Sequence, residues 1–138
     1  MSDIRTEYLE KCLQVLERLY AMIRSVERNT IDFEVYRNSL LKSFETTLEQ
    51  SGKLLKKKLI PFFSSKKEAD KLQFKDIFRH AFSHSLIDEA SDERWFKYRD
   101  NRNNTAHDYG EEFSDKTLSL IENFISDVKE LIRIINSD

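Results

Sequence analysis

The sequence predicts an all-α protein, folded as an antiparallel up-and-down four-helix bundle with a short additional helix. Only 2 Gly and 1 Pro occur among 138 residues, so the chain lacks the frequent turns that sandwiches and barrels need. Apolar residues recur every three or four positions over long stretches, which is the period of an amphipathic helix. The hydrophobic fraction of 39% is typical of a chain that buries a core.

The first two helices are predicted by long apolar stripes. One runs from about Asp3 to Val26 and the next from about Asp32 to Leu59. Gly52 lies inside the second stripe and is expected to weaken that helix by roughly 1 kcal/mol relative to alanine. Pro61 ends the helix, because the residue before a proline disfavours helical backbone.

The middle of the chain is predicted as a long connection followed by a short helix. Residues 61–70 form the connection, and Phe62 and Phe63 are expected to fold back onto the bundle. The short helix covers about Leu72 to Ser85 and directs Phe82, among others, inward.

Capping residues predict where the last two helices begin. Ser91 is predicted to cap a fourth helix that runs toward Gly110, a residue that tolerates the backbone of a helix end. Ser114 is predicted to cap the last helix, from about Asp115 to Asn136. The first two helices and the last are expected to extend ~30–40 Å, and long helices joined by short breaks pack best as an antiparallel bundle. Residues 1–138 are therefore expected to form a single domain.

Charge and composition limit the possible partners. The net charge is -2, so no global field attracts nucleic acid and any RNA contact must be local. The single Cys12 falls within an apolar stripe and is interpreted as a buried structural thiol. No apolar run indicates a signal peptide or a membrane span, so a cytoplasmic protein without membrane contact is expected.

The segment Arg102-Asn-Asn-Thr-Ala-His-Asp-Tyr109 is the one stretch whose residue types suit a reaction at phosphate. R-x-x-x-x-H is a weak pattern, and Arg79 to His84 also fits it. That earlier copy contains Ala81 and Phe82, which continue a core stripe, and it is interpreted as helix packing. The later copy contains only polar or small residues between its ends.

Helix geometry sets a condition on this motif. Five residues turn a side chain by ~140° around an ideal helix, so Arg102 and His107 would diverge on a continuous helix. They converge if the helix ends near Thr105, or if the partners come from two chains related by a twofold axis.

The chemistry of such a site would be the cleavage of RNA. Histidine exchanges protons near neutral pH, and arginine stabilises the charge on a phosphoryl group in the transition state. The RNA 2′-OH is the attacking group, so no metal or other cofactor is predicted, and no metal-ligand spacing occurs in the sequence. A purely structural role is the alternative: a helix dipole favours His107 at its C-terminus, and Arg102 pairs with Asp100 or Asp108.

These residues resemble the HEPN superfamily, whose hallmark is an arginine, a polar residue, three further residues and a histidine. The fuller form, with Tyr109 two positions after His107, is similar to the HepT branch, also described as nucleotidyltransferase substrate-binding proteins. The stretch from Phe74 to Phe82, then Leu86-Ile87 and Trp95, is similar to the third and fourth helices of that branch.

The resemblance implies both an activity and a partner. Arg102 and His107 become the catalytic pair of a dimeric, metal-independent ribonuclease toxin, with Asn103 as a polar helper. The partner is a minimal nucleotidyltransferase, the antitoxin, which transfers AMP to Tyr109 and so blocks the cleft with charge and bulk. In the alternative interpretation, the protein is a non-catalytic substrate-binding subunit of that nucleotidyltransferase.

Two other groups have more than one interpretation. Trp95, Phe96 and Tyr98 either stack RNA bases or pack in a core or dimer interface. A set of lysines around the long connection either contacts an RNA backbone or is a solvated helix end: Lys53, Lys56, Lys57, Lys58, Lys66, Lys67, Lys71 and Lys75.

Overall fold

The fold is all-α, as the sequence predicts. The computed structural model describes residues 4–105 and 111–137, and of residues 102–105 and 111–114 it describes the backbone alone. Within these residues lie six α-helices and one 3₁₀ turn. The α-helices are α1 (Glu7–Arg24), α2 (Ile31–Leu59), α3 (Lys66–Asp70), α4 (Phe74–Ser83), α5 (Glu89–Thr105) and α6 (Glu111–Asn136), and the 3₁₀ turn covers Ile60–Phe62.

The long helices form a layered core. Helix α2 packs against α1, α4 and α6, while α5 lies between α4 and α6. Rings at the centre join three of these helices: the Phe124 centroid lies 4.7 Å from Phe44, 5.0 Å from Tyr98 and 5.8 Å from Trp95. Burial of these large rings stabilises the core, together with the buried aliphatic residues around them.

Polar contacts fix the direction of the helices. Near the chain ends, Lys58 Nζ donates to the carbonyl oxygens of Ile135 and Ser137, so the ends of α2 and α6 are neighbours. At the other end of the bundle, Arg28 of the α1–α2 turn donates to Asp115 Oδ1 of α6 over 2.5 Å. Helices α2 and α6 therefore run in the same direction, and α1 runs against both.

Two capping predictions are wrong. Helix α5 begins at Glu89, and Asp88 is its cap: Asp88 Oδ1 accepts from the Ser91 amide over 2.8 Å. An aspartate caps as well as a serine does, and its charge also suits the positive end of the helix. Helix α6 begins at Glu111, so Ser114 lies inside its first turn rather than before it. The predicted stop at Gly110 lies outside the described residues.

The long connection is more ordered than its composition suggests. The short helix α3 was not predicted; Ser65 caps it, accepting from the Glu68 amide over 3.2 Å. Phe63 packs against the core as expected, but Phe62 is exposed. Phe82 is also exposed, contrary to prediction, because Ala81 holds the buried position and the next side chain on a helix is turned by about 100°.

Gly52 has a packing role that its sequence context does not reveal. The edge of the Phe74 ring, on the first turn of α4, lies directly over it. A β-carbon at position 52 would lie 2.8 Å from Phe74 Cε2, which is closer than carbon atoms approach. Glycine is therefore the residue that lets α4 approach α2.

None of the helices in residues 4–105 and 111–137 is both long enough and apolar enough to cross a membrane.

Candidate functional site in the α5–α6 hairpin

The motif connects α5 with α6. Arg102 and Asn103 belong to the last described turn of α5, and their side chains lie outside the description. His107 and Tyr109 fall in residues 106–110, also outside the described residues. The convergence of Arg102 and His107 therefore stays a prediction, and so does their role in catalysis.

One buried hydrogen bond closes the hairpin beside the motif. Asn101 Nδ2 of α5 donates to Thr117 Oγ1 of α6 over 2.8 Å. Both residues are buried. A buried polar pair of this kind is costly to break, because the donor would lose its acceptor without gaining water. The bond therefore holds the end of α5 against the second turn of α6.

A second polar cluster lies farther along the same two helices. Arg94 Nε and Nη2 donate to the two carboxylate oxygens of Asp127 over 2.8 and 2.9 Å. The Tyr98 hydroxyl donates to Asp127 Oδ2 over 2.5 Å. Two hydrogen bonds from the Arg94 guanidinium and one from the Tyr98 phenol thus hold the buried Asp127 carboxylate. This arrangement stabilises the contact between the two helices and also fixes the relative orientation of the three side chains.

The cluster shifts the acid–base properties of its donors. The hydrogen bond to Asp127 raises the pKa of Arg94 above its ordinary value. Burial, and then the hydrogen bond to Asp127, raises the pKa of Tyr98 well above its ordinary value. Tyr98 is therefore a neutral hydrogen-bond donor near neutral pH, with a structural role.

Sequence reasoning missed these anchors, although a signal was present. Arg94, Tyr98 and Asn101 lie four and three positions apart, so they share one face of α5. Polar groups at helical spacing on a face that meets another helix indicate inter-helix hydrogen bonds. Their partners on α6 could not be read from the sequence, because pairing requires the register between the helices.

The aromatic residues of α5 pack in the core, which decides between their two interpretations. Trp95 and Tyr98 are buried. The Trp95 ring stacks on Phe78 with centroids 4.6 Å apart. Phe96 is partly buried, with the guanidinium of Arg79 and the ammonium of Lys75 each 5.4 Å from its ring centre. Base stacking by the two buried rings is thereby excluded.

The earlier copy of the R-x-x-x-x-H pattern is engaged in ring contacts. His84 stacks on Phe62 with centroids 4.0 Å apart, and His80 meets Phe63 edge-on at 5.0 Å. Arg79 and His84 are exposed while Ala81 is buried. These contacts agree with the interpretation of this copy as helix packing.

Half of the lysines around the long connection have partners. Three form ion pairs: Lys56 with Asp70 at 3.1 Å, Lys71 with Glu68 at 3.2 Å, and Lys75 with Asp100 at 2.7 Å. Lys58 binds the backbone carbonyls at the end of α6. These contacts favour the structural interpretation for the paired lysines. They also show that Asp100, one of two candidate partners of Arg102, already has a cation beside it.

Fold and motif together define an all-α helical bundle protein with a polar arginine–histidine segment between its last two helices. The chain belongs to the family described as nucleotidyltransferase substrate binding protein like, whose model matches residues 4–137. The family resemblance of the motif is thereby confirmed.

Individual relatives agree with this assignment. The chain is 29% identical over 132 residues to a protein of Haemophilus influenzae named probable ribonuclease HepT, covering 91% of this chain and 88% of that protein. A solved H. influenzae structure, described as the fold of a substrate binding domain of a nucleotidyltransferase, is similar with a TM-score of 0.81 and 25% identity. That likeness covers 96% of this chain and all of the other.

A second solved structure supports the fold alone. It comes from Thermus thermophilus, with a TM-score of 0.75 and 20% identity, and the likeness covers 94% of this chain and 99% of the other.

Proposed function

We propose that this protein is a HepT-like toxin, a ribonuclease that cleaves RNA without a metal ion in a cleft formed by two copies of the chain. Arg102 and His107 are the catalytic pair, and Asn103 is a polar helper beside them. The likeness to a protein named probable ribonuclease HepT over 91% of this chain carries the proposal.

The proposed reaction is an internal transesterification. The imidazole of His107 from one subunit takes the proton of the RNA 2′-OH, and the 2′-oxygen forms a bond to phosphorus. The bond from phosphorus to the 5′-oxygen breaks, and that oxygen takes a proton from the imidazolium of the second subunit. Arg102 donates hydrogen bonds to the phosphoryl oxygens, which carry the extra charge in the transition state.

The α5–α6 hairpin supports this proposal through preorganisation. Catalytic groups act efficiently when their supporting shell holds them to within a fraction of an ångström. Asn101 immediately precedes Arg102, and its buried bond to Thr117 anchors that end of α5. Five residues, 106–110, then connect the two anchored helices. The support therefore concerns the described end of α5, where the motif begins.

Incubation with RNA in the presence of a chelator tests the ribonuclease proposal directly. Wild type, His107→Ala and Arg102→Ala are incubated with labelled RNA in excess chelator, and the products are resolved by length and end group. We expect cleavage by wild type, with 2′,3′-cyclic phosphate ends, and a loss of at least a hundredfold in both variants. Equal products from wild type and His107→Ala would refute the ribonuclease proposal.

The proposed regulation involves a minimal nucleotidyltransferase antitoxin and Tyr109. Transfer of AMP to the phenol adds a phosphate two residues from His107, which repels RNA and fills the cleft. Incubation with that enzyme and ATP is expected to add the mass of AMP to Tyr109 and to abolish cleavage. An equal mass gain on Tyr109→Phe would contradict the assignment of the site.

A non-catalytic substrate-binding subunit is the second candidate. The description of the family and that of the similar H. influenzae structure both favour it. It predicts a stable complex that changes nucleotidyltransferase activity, and RNA that stays intact with or without His107. Under both candidate functions we also propose that the protein is a homodimer and is located in the cytoplasm. Sedimentation of the purified protein tests the homodimer.

A further inference from the structure

A column of stacked rings ends in an exposed phenylalanine, at the point where the 3₁₀ turn after α2 meets the end of α4. His80 and His84 hold their imidazole rings nearly parallel, with centroids 6.4 Å apart and an angle of 19° between the planes. The Phe62 ring continues this column, 4.0 Å from His84 and inclined to it by 16°. Phe62 is 51% exposed, so one face of its ring is covered by His84 and the other face is open to solvent.

The open face of Phe62 can take a further flat ring. Its neighbour Phe63 packs against the core, whereas Phe62 keeps about half of its surface in solvent. The contact with His84 holds the Phe62 ring in a fixed plane. A planar group of the right size can therefore extend the column by stacking, and every nucleobase presents such a face.

Positive charge is concentrated around this ring. Residues 56–71 contain six lysines and two acidic residues, although the whole chain has a net charge of -2. Both acidic residues already have lysine partners within the same stretch. Three of the lysines are exposed and form no ion pair with a carboxylate in the part of the chain that the structure describes: Lys57, Lys66 and Lys67. Cations of this kind attract the phosphates of a nucleic acid.

The unpaired lysines flank Phe62 along the chain. Lys66 begins α3 and follows Phe62 by four positions, so the two α-carbons are at most ~14 Å apart. Lys57 lies in the last turn of α2, five positions before Phe62. The ion pair of Lys56 with Asp70 holds α3 against the end of α2. Ring and lysines thus belong to one exposed surface.

We propose that Phe62 and these lysines form a binding site for single-stranded RNA, in which one base stacks on the open face of the ring and the lysines contact neighbouring phosphates. Proteins that bind single strands without reading their sequence combine stacking rings with cations in this way. The inference rests on the proposed ribonuclease function in one respect, since that function identifies RNA as the ligand. The residues hold the strand and take no part in cleavage.

This site is separate from the arginine–histidine motif. Lys58, four residues before Phe62, binds the backbone carbonyls of Ile135 and Ser137 at the end of α6. Helix α6 has 26 residues, so its other end, which follows the motif, lies ~39 Å away. Loss of the site is therefore expected to lower the affinity for RNA and to leave the catalytic groups in place.

Binding is measured separately from cleavage. Fluorescence anisotropy follows a short single-stranded RNA whose 2′-hydroxyls are methylated, so that the strand lacks the attacking group. We expect Phe62→Leu, which keeps an apolar side chain but removes the stacking face, to weaken binding about tenfold. Tyr8→Leu is the matched control and should change affinity less than twofold, since Tyr8 is 58% exposed but lies on α1, which packs against α2 and α6.

A tryptophan reports on stacking directly. Phe62→Trp keeps a flat ring and should bind the strand with an affinity within about twofold of wild type. Its fluorescence should fall when a base stacks on the indole. A strand with the same backbone and no bases should leave that fluorescence unchanged, and it should bind wild type and Phe62→Leu equally.

The lysines are tested by their effect on salt dependence. Changing Lys66 and Lys67 together to glutamine should weaken binding about tenfold and reduce the salt slope by about 1.4, the value for two phosphates of a single strand. Lys11 and Lys42 provide the control, because they are exposed and line a groove between α1 and α2. Their double glutamine variant loses the same charge and should change affinity less than twofold.

The outcomes separate this site from the proposed reaction. Equal affinity of wild type and Phe62→Leu overturns the site, even if wild type cleaves RNA, and so does an equal loss in Tyr8→Leu. Absence of any RNA binding by wild type also overturns it. The expected pattern in a protein that leaves unmethylated RNA intact supports the site and rejects the ribonuclease. If Phe62→Leu fails to fold, the fluorescence of Phe62→Trp with the two strands decides.

Discussion

Asn101 and Thr117 form a buried hydrogen bond between the two helices that flank the motif. Thr117→Val keeps the shape of the side chain and removes the acceptor of this bond. We expect the free energy of unfolding to fall by about 1–3 kcal/mol, measured by urea denaturation. In assays of the proposed ribonuclease activity, kcat should fall more than KM rises, because the substitution disturbs the position of the proposed catalytic Arg102 rather than the whole RNA-binding surface.

A matched control lies two residues farther along α6. The hydroxyl of Ser119 is exposed and donates to the Lys116 carbonyl within its own helix. Ser119→Ala is therefore expected to change stability by less than 0.5 kcal/mol. Equal effects of Thr117→Val and Ser119→Ala would contradict the anchoring role of the bond.

Asp127 joins Arg94 and Tyr98 and is the second anchor of the hairpin. Asp127→Asn removes the charge but keeps the size, so it leaves the guanidinium without its counterion. Because Arg94 is partly exposed, we expect a loss of about 2–3 kcal/mol, less than for a fully buried pair. Urea denaturation measures it, with Asp115→Asn as an exposed control expected to cost less than 1 kcal/mol. A loss below that of the control would show that solvent satisfies Arg94.

The raised pKa of Tyr98 predicts a change of stability at alkaline pH. In the unfolded chain the phenol ionises around its ordinary value of 10.0, whereas the folded protein keeps it protonated. The stabilisation is therefore complete below that pH and is lost as the pH rises above it. The advantage of wild type over Tyr98→Phe should shrink by roughly 1 kcal/mol between about pH 10 and pH 11. A difference that stays constant over this range would exclude the linkage.

Gly52 and Phe74 provide a test of close packing. Gly52→Ala favours the helix by roughly 1 kcal/mol but forces the Phe74 ring away from α2. We expect a net loss of about 1–2 kcal/mol by thermal or urea unfolding. In a Phe74→Leu background the obstruction is smaller, so the same alanine should be neutral or stabilising. Destabilisation of equal size in both backgrounds would assign the cost to something other than the ring.

The sequence predicts the helices better than their ends. The apolar stripe of α2 gives its bounds within one residue, because a buried face imposes a regular period over many turns. Caps are less certain: Asp88 and Ser91 both suit the start of α5, and the structure selects Asp88. Local preference alone does not decide between two good caps a few residues apart.

The candidate site, too, could be predicted from the sequence only in part. The residue types of the motif can be read directly, and the family assignment agrees with them. Asp127 and Thr117 gave no such signal, because each matters through a contact with a residue distant in sequence. Such contacts depend on how helices are placed against one another, which periodicity does not specify.

The hydrogen bond between Thr6 and Asn136 places the start of α1 beside the end of α6. Helix α6 has 26 residues and so extends ~39 Å from there toward the motif. An affinity tag, a fluorophore or a tether to a sensor surface can thus be attached near either of these positions. The opposite end of the bundle, where α6 begins and the proposed catalytic motif is carried, would then face bulk solution, open to long RNA and to a second protein at once.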